Sequence, residues 1–215
     1  ELVLWLLGWR ITGTFPNEEK VVVIGAPHTS NWDGIVGVSC VLALGLKIGL
    51  MGKNSIFRGP FAPMLRWLGF IPIARDSAAG IVAQSVAKFK ERDALFLGIA
   101  PEGTRHGAEE WKSGFYRIAM EAGVPIMIVV FDYAQRELRI PFTLYPGGDI
   151  EADMETILTH YRGVITKHPD SLSRPLHLRR LEDFVFPAFR LLPSARGGKP
   201  VCCVSISPRL VRLAW

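Results

Sequence analysis

Along the chain, short unbroken hydrophobic runs alternate with longer amphipathic stretches. Val21, Val22, Val23 and Ile24 form one run, residues 94–99 a second, and residues 125–131 the most hydrophobic third. Apolar runs of this length bounded by turn signals predict strands buried on both faces. Between them, residues 34–46 are small and apolar without a polar face and predict a buried helix. Residues 81–92 show helical periodicity with Lys and Glu on one side, and residues 114–122 predict a helix ended by Gly123. Residues 47–51 and 70–73 predict two more strands, the latter at a sheet edge because Pro72 cannot donate to a ladder. Residues 57–69 have Pro60 near a helix start and Gly69 at its end. The apolar surface of that segment (Phe57, Phe61, Met64, Leu65, Trp67, Leu68) is assigned to the core, with a lipid-facing surface as the alternative. Residues 135–140 predict a hairpin partner and 153–165 a final helix. Strands alternating with helices predict a single α/β domain, a mainly parallel sheet flanked by helices.

Composition narrows this picture. A chain of 215 residues is long enough for one well-filled domain. Hydrophobic residues make up 49% of it, yet no stretch approaches the ~18 uninterrupted apolar residues of a membrane-spanning helix. Residues 2–10, with Trp5 and Trp9, read as a segment lying in a membrane interface, as the end of a longer helix, or as a first helix packed on the domain's own core. The chain begins at Glu1, so the lack of a leader within it is uninformative.

The formal charge is +5, but residues 171–215 hold seven Arg and one Lys against Glu182 and Asp183, net +6, which leaves −1 for the remainder. With the basicity confined to the end and no aromatic-basic interleaving, nucleic acid is not an expected partner. The chain accordingly divides into a domain over residues 1–168 and a basic C-terminal tail over 169–215. The tail has little pattern and is read as an extension outside the fold; a basic surface for anionic lipid head groups is the alternative. Cys40, Cys202 and Cys203 have neither metal spacing nor an even disulfide framework, which favours a reducing compartment.

The candidate chemistry sits where strands end. His28 and Asp33 follow the first run; a neutral imidazole can take a proton from a hydroxyl while a carboxylate on its other nitrogen fixes the tautomer. Five residues turn through about 500° on a straight helix, so the two meet only if the segment bends, with Asp33 near the start of the next helix. The alternative makes Asp33 a helix cap and His28 an ordinary loop residue. The second run leads into Pro101, Glu102, Gly103, Thr104 and Arg105. This loop offers backbone N–H groups, a hydroxyl, and a guanidinium able to grip phosphate. In a parallel sheet both loops lie along one edge, placing a base, an anion clamp and oxyanion-type donors in one cleft. A serine-hydrolase reading from Ser30 lacks a Gly-x-Ser-x-Gly elbow, since residues 37–41 fail at the last position. A metal site from His28, Asp33, Glu102 and His106 has no recognised ligand spacing, so no metal is expected.

Four blocks in order resemble the glycerolipid acyltransferases, specifically the 1-acylglycerol-3-phosphate O-acyltransferase (lysophosphatidic acid acyltransferase) branch. They are the His-x4-Asp block at His28 and Asp33, an aromatic-Ile-x-Arg-like block from Phe70 to Arg75 with one extra residue, Pro-Glu-Gly-Thr-Arg at 101–105, and Val124-Pro125-Ile126. The resemblance covers about residues 5–168. It implies a glycerol-3-phosphate acyltransferase-like fold, and transfer of a fatty acyl group from acyl-CoA or acyl carrier protein to a lysophospholipid hydroxyl with no covalent enzyme intermediate. No cofactor is implied beyond that co-substrate.

By the same resemblance, His28 would be the general base and Asp33 its orienting partner. Arg75, Glu102, Gly103, Thr104 and Arg105 would bind the acceptor's glycerol-phosphate part, and Val124, Pro125 and Ile126 would shape the acyl site. The protein would lie peripherally on the cytoplasmic side of a membrane. His106 stands where the family usually has a small hydroxyl residue, and Arg75 is offset, which leaves the head group open between phosphate and an anionic lyso-aminolipid. A scaffold of the same fold without activity is the non-enzyme alternative; the intact His28, Asp33 and Arg105 speak against it.

Overall fold

The computed structural model describes residues 2–45, 48–67, 69–74 and 77–177. Arg75, Leu68 and residues 178–215 of the tail lie outside the described residues. In chain order the elements are α1 (Leu2–Leu6), β1 (Arg10–Gly13), β2 (Lys20–Ala26), α2 (Asn31–Leu44), β3 (Ile48–Lys53), a 3-10 turn (Asn54–Arg58), α3 (Ala62–Trp67) and β4 (Phe70–Ile73). There follow α4 (Ala78–Glu91), β5 (Leu95–Ile99), α5 (Gly114–Ala122), β6 (Ile126–Asp132), β7 (Glu137–Ile140), β8 (Thr143–Leu144), α6 (Ile150–Thr159) and a 3-10 turn (Pro169–Ser171).

The strands form one sheet in the order β1-β7-β6-β2-β5-β3-β4, with β8 also on β6. β2, β3, β4, β5 and β6 run parallel, and β7 and β8 are antiparallel to β6. The expected mainly parallel sheet flanked by helices is what the chain forms. The most hydrophobic run is the reason β6 is central: all seven of its residues are buried, as a strand covered on both faces requires. Alternate residues of β2 divide between two cores, Val22 and Ile24 with α4 and α5 on one face, Val21 and Val23 with α1 and α2 on the other.

Five expectations change. The segment 2–10 is not one helix: Gly8, at φ +68, turns the chain so that Arg10–Gly13 joins the sheet beside β7. α1 buries Leu4 in the core, as a first helix packed on the domain's own core requires, while Trp5 and Leu6 stay exposed. The 57–69 helix breaks at Gly59 and Pro60 into a 3-10 turn and the six-residue α3. Of its apolar residues Phe57 is buried in the core, whereas Phe61 is 66% exposed, Met64 50% and Trp67 77%. α2 is likewise half-open, with Ile35 and Leu42 exposed. The last helix starts earlier, at Ile150, because the Asp149 side chain caps it by accepting from Glu151 and Ala152 N–H.

The boundary after residue 168 also falls inside the fold, since Leu172 and Leu176 are buried in the core. No described helix is long and apolar enough to cross a membrane.

Candidate active site

The first loop is built by its own backbone. Ser30 caps α2, its hydroxyl accepting from Trp32 N–H at 3.2 Å, and Asp33 at the third helical position accepts back from the Ser30 N–H at 2.7 Å. The same oxygen, Oδ2, takes the Thr29 N–H at 2.8 Å. This reciprocal cap bends the strand into the helix, and the bend brings His28 Nδ1 within 3.5 Å of Asp33 Oδ2. The capping and the catalytic readings of Asp33 are therefore not rivals: one carboxylate does both. Its other oxygen accepts the Tyr133 hydroxyl. The His28 side chain is 23% exposed and that of Asp33 is sealed.

Burial holds the His28 imidazole below its ordinary pKa, with Asp33 opposing that shift and Arg105 adding to it. The ring is thus neutral near pH 7, as a general base must be. Cys40, in the adjoining cavity, has its thiol pushed up to about 12 by burial and remains a protonated, unreactive group.

The second loop approaches from β5, the parallel neighbour of β2. Glu102 does not reach into the cleft: it is buried, and its Oε2 accepts the His28 N–H at 2.6 Å. Burial pushes its carboxyl above the usual range; the Ser173 hydroxyl and the His28 N–H oppose that shift, and Asp33 adds to it. Gly103 sits at φ +66 with the Lys112 side chain across it, where a Cβ would stand 3.1 Å from Lys112 Cε. Thr104 and Arg105 are exposed and line the cleft, and the Arg105 guanidinium bonds the Asn31 side chain, joining the two loops. The expected supply of free backbone donors is smaller than it looked. The N–H groups of residues 28–30 are taken up by Glu102 and Asp33, and that of Gly103 by Ala100 O.

Two hollows meet at His28. One, of about 580 Å³, lies between the sheet and α2 and is lined by Val23, Met127, Val129, Phe131, Val38, Val41, Leu44 and Leu65, among others. The second, of about 970 Å³, lies over the opposite face at the starts of α4 and α5 and carries Thr104, Arg105, His106, Lys112 and Arg117. His28, Met51, Gly98, Ile99 and Ala100 belong to both. The β3–β5 pairing runs only from Ile48–Phe96 to Leu50–Gly98, so beyond it the rim residues are free to line both hollows.

The structure brings His28, Asp33, Glu102, Gly103, Thr104 and Arg105 together. It does not bring Val124, Pro125 and Ile126 there. They are buried at the start of β6, where Ile126 pairs with Val22, four residues or about 13 Å of strand before Ala26, and they line neither hollow. Met127 and Val129, farther along β6, line the apolar hollow instead. Sequence reasoning missed Lys112, Arg117, Tyr133 and the segment 165–177. That segment clasps both loops: the His168 N–H donates to Thr29 Oγ1, the Arg174 N–H to Ala108 O, and Ser173 receives the Trp111 indole N–H. Among the described residues no three His, Cys, Asp or Glu side chains group as metal ligands.

Residues 9–132 match the sequence model of the acyltransferase family. The chain is 31% identical over 122 residues to the 1-acyl-sn-glycerol-3-phosphate acyltransferase of Escherichia coli (strain K12), covering 54% of this chain and 48% of that protein. It is 29% identical over 146 residues to the protein of that name from Haemophilus influenzae, covering 63% and 59%. The chain thus spans about half the length of the curated relatives it matches. The crystal structure of the 1-acyl-sn-glycerophosphate (LPA) acyltransferase PlsC from Thermotoga maritima superposes with a TM-score of 0.53 at 17% identity, over 73% of this chain and 72% of that one, a likeness of fold. With more than half of its length matched by the family model and all four blocks present, the chain belongs to the acyltransferase family.

Proposed function

We propose that the protein transfers a fatty acyl group from acyl-CoA or acyl carrier protein to the hydroxyl of a lysophospholipid such as 1-acyl-glycerol-3-phosphate, a step of phospholipid biosynthesis. One observation carries this reading: a neutral His28 stands where an apolar hollow meets a cationic cleft. A substrate with an aliphatic chain at one end and a phosphate at the other needs that division.

His28 Nε2 takes the proton of the acceptor hydroxyl as its oxygen attacks the thioester carbonyl. Asp33 holds Nδ1–H and stabilises the imidazolium. Collapse of the tetrahedral intermediate breaks the C–S bond, and the imidazolium returns its proton to the departing thiolate, so no acyl group is held on the enzyme. Arg105, Lys112 and Arg117 face the acceptor phosphate, and Arg75 keeps its sequence-based assignment to the same group. The exposed Trp5, Leu6, Phe61, Met64 and Trp67 suit a protein lying peripherally on the cytoplasmic face of a membrane.

The test is thiol release from a long-chain acyl-CoA with and without lysophosphatidic acid, in the wild type and in folded His28→Ala. Acceptor-dependent release that disappears in the variant is expected. Unchanged release in the variant overturns the mechanism, and release without acceptor makes the protein a thioesterase. An acyl carrier protein donor and a lyso-aminolipid acceptor are tested in parallel.

A further inference from the structure

Asp33 is 1% exposed. A carboxylate so enclosed must have its oxygens hydrogen-bonded, and the torsion that turns it is soft, with no sharp preferred angle. One oxygen alone therefore does not fix the direction in which the group faces. Oδ2, the oxygen 3.5 Å from His28 Nδ1, is held by the Thr29 and Ser30 N–H groups. Oδ1 is held from 100 residues away by the Tyr133 hydroxyl at 2.5 Å. Tyr133 is itself fixed from two sides. Its ring meets Trp9 edge-to-face at 4.9 Å, and its N–H donates to Ile165 O at 2.9 Å.

We propose that Tyr133 is a positioning residue for acyl transfer: its hydroxyl pins the Asp33 oxygen remote from His28 and so keeps the other aimed at Nδ1. The role rests on the reading of His28 as the general base. Burial and the Asp33 contact hold the Tyr133 hydroxyl protonated far above its usual range, so it is a donor at every working pH. The charged groups facing the pair are Asp33 itself, from α2, together with Glu102 and Arg105, from the loop after β5. Removing the phenol frees the carboxylate to turn away from Nδ1, and an Asp33 charge less well aimed at the ring favours the imidazolium less.

Tyr133→Phe, with Tyr145→Phe at the exposed Glu18 contact as a control, tests this by acceptor-dependent thiol release and by NMR titration of the His28 imidazole. Tyr133→Phe is expected to lower kcat about tenfold, leave KM for lysophosphatidic acid unchanged, and move both the acid limb of the rate and the imidazole titration to lower pH. In an Asp33→Asn background the same change is expected to have no further effect. An unchanged kcat, an unmoved or raised titration, or a full additive loss beside Asp33→Asn overturns the role. A wild type without acceptor-dependent release but with the titration moved by Tyr133→Phe would overturn the functional reading while leaving the Tyr133–Asp33–His28 coupling standing.

Discussion

The least expected placement in the site is Glu102, and it yields a sharp prediction. The sequence resemblance gives this carboxylate to the acceptor; the structure turns it inward onto the His28 N–H at 2.6 Å, and it lines neither hollow. Glu102→Gln keeps an acceptor oxygen there, so its effect is about 1 kcal/mol or less, a few-fold in rate. Glu102→Ala leaves the N–H of a partly buried loop without its partner, at about 1–3 kcal/mol. If that energy is lost from the aligned form of the loop, kcat falls about 10- to 100-fold, since each 1.4 kcal/mol is a factor of ten.

KM for lysophosphatidic acid should hold in both variants, because a positioning group acts on the base and not on the acceptor. The assay is steady-state thiol release with acceptor varied, alongside thermal unfolding. Stability supplies a second check with a definite sign. A carboxyl whose folded pKa is raised contributes stability that is present below its unfolded pKa and lost as pH rises through the folded value. The amide has no such loss, so the Tm of Glu102→Gln relative to wild type should increase as pH rises from the ordinary carboxylate range. A raised KM at unchanged kcat would refute the positioning role and return Glu102 to the acceptor site.

Three further outcomes are expected. Since burial and Arg105 depress the His28 pKa, the rate should fall only as pH drops below the ordinary imidazole value of 6.5. Arg105→Ala should move that limb to higher pH and raise KM for the acceptor; a limb that stays or moves to lower pH would contradict the charge assignment. Replacing Phe61 and Trp67 by Ser should weaken sedimentation with phospholipid vesicles, by roughly tenfold per residue if each ring inserts. Undiminished sedimentation would remove α3 from any membrane face.

What was legible in the sequence follows from what is local. Unbroken runs such as 21–24 and 125–131 report burial on both faces, and they located β2 and β6 because a parallel strand needs no partner information to be recognised. His28 and Asp33 were legible for the same reason, although the cap was read at Asp33 where Ser30 is the residue that caps α2. Ser30, Asp33 and His28 interact within five positions. α2 and α3 misled, because an apolar composition states a preference for leaving water without stating which surface satisfies it. β1 escaped notice because four residues turned by Gly8 carry no periodicity. Val124 to Ile126 were carried over by motif, and a motif does not say that the start of a parallel strand lies at the edge remote from the chemistry.

The rule that singled out His28 and the 101–105 loop, that chemistry gathers where parallel strands end, applies equally to β6. Its end delivers Tyr133 to Asp33, as the end of β2 delivers His28 and the end of β5 delivers Glu102. Three adjacent strands thus each contribute one group around His28 and Asp33, and on the proposed reading the sheet itself lies between the acyl chain and the phosphate. Its α2 face offers mostly apolar walls, with Asn31 and Ser39 among them, and its α5 face offers Arg105, Lys112 and Arg117 beside apolar side chains, so on the proposed reading a phosphate finds its partners in the second hollow alone. On that reading a base at His28, which lines both hollows, has both within reach. Enlarging the side chains along the rim should therefore impair transfer without weakening the binding of either substrate by itself.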